Sequence, residues 1–318
     1  MPNRNTVVDN MASSENTAVS IIIPTYNRGH TIRRALRSAL RQTVSPKEII
    51  VIDDGSSDDT ERIVKKIISH HPEVRLKKNI HNSGSGVSRN TGISIASGEF
   101  ISFLDSDDIY PNRGSLKRMY DLAHRNGLAI CGSLRELKIG WKIIETNDFR
   151  EECRKSPEGP ILEYKDYQQD YDFTSYIFKR SFLIDNDLMF PPYRRYQDVP
   201  FFVNCMIKSE KFCIAPICGY RYTIDRKHPA VCDDRNTEDL IKGITETIRI
   251  ASKNDLPILL TRTIERLNSE YRKIISSNYK RGNKRIPILL READDAINRD
   301  LEGCENLSVT SIDNIVVK

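Results

Sequence analysis

The chain has 318 residues, of which 38% are hydrophobic and 29% charged, and its net charge is +5. That balance describes a globular chain long enough to bury a substantial core. It excludes a disordered polyelectrolyte, and no window approaches the 18 consecutive apolar residues of a membrane span.

Residues 1–18 are predicted to be a disordered tail. Met1 to Asn16 are polar, rich in Asn and Ser, and lack the apolar core of an export signal. Val19-Ser20-Ile21-Ile22-Ile23-Pro24 is a β-branched strand signal, and residues 29–42 follow with Ile32, Ala35, Leu36, Ala39 and Leu40 at helical spacing. Glu48–Ile52 is a second strand. It stops at Asp53-Asp54-Gly55-Ser56-Ser57, before a helix over about 58–69. A strand at 74–78, a helix at 85–97, a strand at 99–104, a helix near 112–126 and a strand at 128–134 complete the series. Strand and helix alternating with short connections predict an α/β fold: an open, Rossmann-like, mostly parallel sheet flanked by helices.

The alternation fades after residue 135, where prolines punctuate a mixed stretch. A helix at 197–208 and a strand at 212–222 follow, and helical patterns dominate from Thr237 onward. These patterns predict an α/β unit over 19–230 and a helical C-terminal extension over 231–318.

Between Arg262 and Arg291 nine Lys/Arg face two Glu, a local balance of +7. A solvated helix face accounts for this, and so does a face for peripheral contact with an anionic membrane. Its two tyrosines are not interleaved as a nucleic-acid surface requires, so no nucleic-acid partner is expected. The seven cysteines form no CxxC pair, which predicts free thiols in a reducing, cytoplasmic setting.

Ligands of parallel sheets bind outside the carboxyl ends of the strands. Thr25-Tyr26-Asn27, Asp53-Asp54 and Asp105-Ser106-Asp107 all fall at such ends. On an extended backbone Asp105 and Asp107 point to one side. Two carboxylates aimed at one point repel unless a cation lies between them. Hard oxygen ligands suit Mg²⁺ or Mn²⁺, with a diphosphate completing the shell. A lone triplet of this kind is more often a polar loop with an Asx-turn after a strand.

Five segments together resemble family-2 glycosyltransferases of the GT-A fold. They are Val19–Asn27; Glu48–Asp58; Asn82-Ser83-Gly84 with Ser88-Arg89-Asn90-Thr91-Gly92-Ile93; Gly98–Asp108; and Gln197-Asp198-Val199-Pro200-Phe201-Phe202. They cover roughly residues 19–225 in the usual order. The resemblance implies an inverting transferase. It would take a hexose or N-acetylhexosamine from a UDP-sugar and place it on a glycan or lipid-linked saccharide acceptor. It also implies that Pro24, Thr25 and Tyr26 line the uracil pocket, that Asp54 accepts from the base, and that Asn82 and Arg89 complete the nucleotide contacts. Asp105, with Ser106 beside it, would contact ribose or metal. Asp107 would ligate the metal, and Asp198 would be the catalytic base. His228 lies where some relatives place a histidine near the metal.

Each residue also has a local explanation. Asp53 or Asp54 can cap the next helix, Arg89 can be a solvated helix residue, and Asp198 can open a helix ahead of Pro200. Gln197 departs from the acidic residue common in the family, and neither membrane spans nor a QxxRW signature accompany the motifs, which favours single-sugar addition. The competing functions are a sugar-nucleotide-binding module without turnover and a nucleotidyltransferase. The latter wants a Gly-rich basic loop after the first strand, which Pro24-Thr25-Tyr26-Asn27 is not.

Overall fold

Strand and helix alternate from Val19 to Asn126 as the apolar periodicity predicts. The computed structural model describes residues 17–146, 149–224 and 233–311, with residue 314. Most of the predicted tail, and His228, lie outside the described residues. The first part runs β1 (Val19–Thr25), α1 (Ile32–Leu40), β2 (Lys47–Asp53), α2 (Thr60–Ile68), β3 (Val74–Lys78), α3 (Ser85–Ile95), β4 (Phe100–Phe103) and α4 (Ser115–Asn126). Then come β5 (Ile130–Ile139), β6 (Lys142–Thr146), α5 (Arg150–Lys155), β7 (Ile161–Glu163), α6 (Tyr164–Tyr167), β8 (Tyr176–Lys179), α7 (Arg180–Asp185), α8 (Asp198–Ser209) and β9 (Lys211–Ile224). Four helices follow: α9 (Asp234–Lys253), α10 (Pro257–Asn268), α11 (Arg272–Lys280) and α12 (Ile286–Asp295).

One sheet carries the order β3-β2-β1-β4-β8-β5-β9-β7, with β6 paired to β5. The block β3-β2-β1-β4 is parallel throughout, and β5 is parallel to β9. β8 enters antiparallel between β4 and β5. Three strands, β6, β7 and β8, thus come from the stretch where the sequence shows only a mixed pattern. β7 and β8 are three and four residues long, too short to establish a period of two.

Successive side chains of a strand face opposite ways, and both faces of the parallel block are covered. Ile21, Ile23, Ile49 and Val51 pack with Ile32 and Leu36 of α1, Val64 of α2 and Met119 of α4. Ile22, Ile50, Ile52 and Phe103 face the other layer with Ile93 of α3, Phe201 of α8 and Leu240, Ile244 and Ile248 of α9. The apolar layer under α8 therefore continues into the C-terminal helices. Part of the basic excess there is paired within the chain: Arg262 and Arg266 both pair with the buried Asp170, and the exposed Arg285 pairs with Glu238 at 3.0 Å. The six described cysteines are free thiols. Among the described residues no helix is long and apolar enough to cross a membrane.

The lower edge of the block depends on a close approach at Gly98. Its N–H donates to Ser20 Oγ at 2.8 Å, and a Cβ there would sit 2.5 Å from the Ser20 backbone nitrogen. Gly98→Ala is therefore expected to push β1 from β4 and to destabilise the protein by roughly 2 kcal/mol, the usual range for overpacking. A lower urea midpoint at unchanged slope checks it. An unchanged midpoint would show that the edge yields freely.

Candidate active site

β1, β2 and β4 end at one edge of the sheet. The loops after them join the start of α3 and the end of β9 around a cleft of about 410 Å³. Pro24, Thr25, Tyr26, Asp54, Asn82, Arg89, Asp105, Ser106 and Asp107 all line it. Arg28, Tyr222 and Thr223 line it too, and the sequence reading omits them. Arg28 directly follows a quoted segment, so proximity in the chain was its signal. Tyr222 and Thr223 are brought in by the β5–β9 pairing, which no local motif announces.

The loops are tied to one another before any ligand is considered. Asn27, at φ 51°, donates its N–H to Ser56 Oγ and accepts from the Ser57 amide. Asp53 accepts from the Ser56 amide, the turn-stabilising role expected of an aspartate after a strand. Asp54 does not cap α2. Its carboxylate accepts from Asn79 Nδ2 at 2.8 Å, from the Ser83 amide, and from the Gly84 amide at 2.7 Å. It clamps the 79–84 loop that carries the exposed Asn82. Thr25 is buried at the cleft wall, and its hydroxyl has no partner. Arg28, Asn82 and the start of α3 add donors to the same space, a combination that suits an anion.

The geometry expected of Asp105 and Asp107 needs correction. They do not stand on an extended strand end. β4 stops at Phe103, and the Asp108 amide donates to the Asp105 carbonyl at 3.0 Å, closing a turn. The cause lies in Asp108, which is fully buried and accepts from Tyr220 Oη and the Thr223 amide, both at 2.7 Å. That anchorage draws the chain inward, and burial pushes the Asp108 carboxyl up to about 8. Asp105 and Asp107 still line one cleft. Burial and then the Asp105 charge raise the Asp107 pKa, against the opposing pull of Arg28 at 3.5 Å and Arg34.

Arg89 is not a solvated helix residue. It is 4% exposed and donates to Asp105 Oδ1 at 2.7 Å. Its guanidinium lies 4.8 Å from the Phe173 ring centre and 5.3 Å from that of Phe190. Nε and Nη1 have no partner. The aromatic slot fixes a cation whose free donors remain at the cleft.

Asp198 is the first residue of α8 and lines a second cavity of about 260 Å³. Asp105 and Tyr222 border both cavities, so Asp198 faces the Asp105 turn across their junction. Burial raises its pKa and the Asp105 charge adds to that, while Arg89 and the amides of Asp198 and Val199 oppose it. Gln197, in place of an acid, donates to Ser85 Oγ at 2.9 Å and so joins α8 to α3. Among the described residues no cluster of three His, Cys, Asp or Glu side chains is placed to hold a metal alone. Two crowded carboxylates are present, and a ligand's oxygens would have to complete a shell.

A cleft at the carboxyl edge of a parallel block, with a buried arginine and paired carboxylates, defines an α/β protein with a polar ligand site at its strand ends. The family profile described as "Glycosyl transferase family 2" matches residues 20–188, and the chain belongs to that family. It is 27% identical over 262 residues to the uncharacterized glycosyltransferase YibD of Escherichia coli K12, covering 80% of this chain and 72% of that one. It is 31% identical over 217 residues to the poly(ribitol-phosphate) beta-glucosyltransferase of Bacillus spizizenii, covering 65% of this chain. The match spans only 32% of that relative's length. Among solved structures, S. aureus TarS 1–349, in complex with UDP or with UDP-GlcNAc, superposes with TM-score 0.70 at 20% identity, covering 91% of this chain. For the UDP complex the match covers 83% of the TarS chain. The fold is GT-A, and the chain is a glycosyltransferase.

Proposed function

We propose that the chain transfers a hexose or N-acetylhexosamine from a UDP-sugar, with inversion, to a hydroxyl of a cell-surface glycan or lipid-linked saccharide. The observation that carries this reading is the placement of Asp198 across the cavity junction from the Asp105 turn. UDP would occupy the larger cleft, with its base near Pro24, Thr25, Tyr26, Asp54 and Asn82, and Arg28 and Arg89 toward its charge. The acceptor hydroxyl would enter from the Asp198 side. Its oxygen forms the new bond to the anomeric carbon as the bond to the diphosphate breaks. Asp198 takes the hydroxyl proton, and UDP leaves with the electron pair. Arg89, preorganised between two rings, stabilises the charge gained by the leaving diphosphate. The fold neighbour's UDP-sugar complex and the named sugar transferases among the relatives support the donor class.

Asp105 and Asp107 would hold Mn²⁺ or Mg²⁺, because their mutual repulsion is what a divalent cation relieves. When bound, that ion would supply Lewis-acid stabilisation of the diphosphate. We take 19–230 as the transferase unit and 231–318 as its helical extension. The exposed Lys273, Lys280 and Lys284 there are the residues available for a cytoplasmic membrane surface.

The test is a UDP-sugar hydrolysis panel with Mn²⁺ and with Mg²⁺, alongside UDP calorimetry. One UDP-hexose is expected to hydrolyse slowly without acceptor. Asp107→Asn is expected to lose metal-dependent UDP binding by tenfold or more, about the effect of one missing charged ligand contact. UDP binding by the parent that is equal with and without EDTA would remove the metal from the reading. No hydrolysis and no UDP binding would overturn the donor class.

A further inference from the structure

A cluster of arginines lies outside the cleft. A separate cavity of about 860 Å³ sits between α1 and the approach to α4. Arg33, Arg34, Arg37 and Arg41 reach it from α1 and its C-cap, and Arg113 reaches it from the α4 side. No Asp or Glu side chain is among its lining residues. Arg33, Arg37, Arg41 and Arg113 are exposed and take part in none of the salt bridges found among the described residues. Arg34 donates to the Asp107 carbonyl, and the wall residues Ile109, Tyr110 and Pro111 continue directly from the Asp105–Asp108 turn. The cavity therefore adjoins the reaction cleft without sharing its nucleotide contacts.

The spacing narrows the ligand. Arg33, Arg37 and Arg41 recur every four residues, about 6 Å apart along the helix axis at 1.5 Å per residue. Like charges one turn apart destabilise a helix on their own. Guanidinium groups bind phosphate in bidentate fashion, and a row of them matches a row of phosphates better than a single small anion. A bilayer would call for exposed apolar or aromatic side chains beside the cations. In this cavity Tyr110 is buried, and Ile109 and Pro111 are only partly exposed.

We propose that this arginine ladder is a second anion site, distinct from the UDP cleft, for a ligand carrying two or more phosphate groups, such as a diphosphate or a phosphodiester chain. In the reading of the preceding subsection, that ligand is the phosphate-bearing part of the acceptor. The site itself stands without that reading.

Pyrophosphate is the probe, titrated calorimetrically into the full chain with UDP saturating the cleft. The parent is expected to bind it. The triple variant R33Q/R37Q/R41Q is expected to bind at least about tenfold more weakly with UDP affinity unchanged, since three exposed bidentate partners are lost. A control triple, K273Q/K280Q/K284Q, removes equal charge elsewhere and should leave pyrophosphate binding intact. Equal weakening in both triples would reduce the effect to net charge and overturn the proposal. Orthophosphate binding as tightly as pyrophosphate would also overturn it. So would phosphatidylglycerol vesicles that sediment the parent but not R33Q/R37Q/R41Q while pyrophosphate fails to bind, because the ligand would then be a bilayer surface. Failure of UDP to bind the parent is a separate readout and bears on the donor reading alone.

Discussion

Asp198→Asn is expected to reduce sugar transfer by about 10³-fold, within the range for removing a positioned general base, and to leave UDP affinity within about twofold. Asn copies the shape of the side chain, and the N-cap of α8 is Gln197, so α8 keeps its start. It cannot take the acceptor proton. Stability should not fall. Burial raises the Asp198 pKa in the folded state, so the fold disfavours its charged form. The native state thus holds the proton more tightly than the unfolded chain, and this group's contribution to stability declines as pH rises through the raised pKa. At neutral pH the neutral amide removes that cost. Asp198→Asn should therefore unfold at the parent's urea midpoint or above it while its turnover collapses. A clear drop in the midpoint would mark Asp198 as a structural residue.

The same shift sets the acid limb of the rate profile. A base works only when ionised, so kcat/KM should rise with pH through a pKa above the ordinary carboxylate range. The groups around Asp198 act in both directions: Arg89 favours its charge, whereas Asp105 disfavours it. The hydroxyls of Tyr196 and Tyr222 are close enough to feel Asp198 as well. A profile that stays flat down through the usual carboxylate range would remove Asp198 from the proton transfer.

The parallel half of the sheet was legible because β1, β2 and β4 carry apolar runs closed by turn residues, and α1, α2 and α4 place apolar residues at helical spacing. The cleft residues were legible because a parallel sheet brings the ends of its strands to one edge, so Thr25, Asp54 and Asp105 meet without long-range information. What the sequence hid depends on distant pairing. Tyr222 and Thr223 enter the cleft only because β9 lies beside β5, with Tyr222 opposite Leu137 from far earlier in the chain. The Asp105–Asp108 turn is bent by Tyr220, which has no local signal as a partner of Asp108. Arg89 looked like a surface residue because α3 is weakly amphipathic, with small residues around it, and because the rings that enclose it, Phe173 and Phe190, lie in the stretch where the pattern faded.

That enclosure makes Arg89→Ala the second large effect. The substitution removes the partner of Asp105 and empties the slot between Phe173 and Phe190. Breaking a buried ion pair from one side typically costs 3–5 kcal/mol, and Asp105 keeps some contact with water, so roughly 3 kcal/mol of stability should be lost. Loss of fold alone would lower activity, so a milder change is the sharper test. Arg89→Lys keeps the charge but gives up the planar group that fills the slot and the fork that holds Asp105. It should fold, bind UDP more weakly, and weaken the pull that holds the Asp198 pKa down. The acid limb of its residual kcat/KM should therefore move to higher pH than in the parent, a displacement that a packing defect would not produce. Arg89→Lys with full UDP affinity and an unmoved acid limb would reduce Arg89 to a filler between two rings.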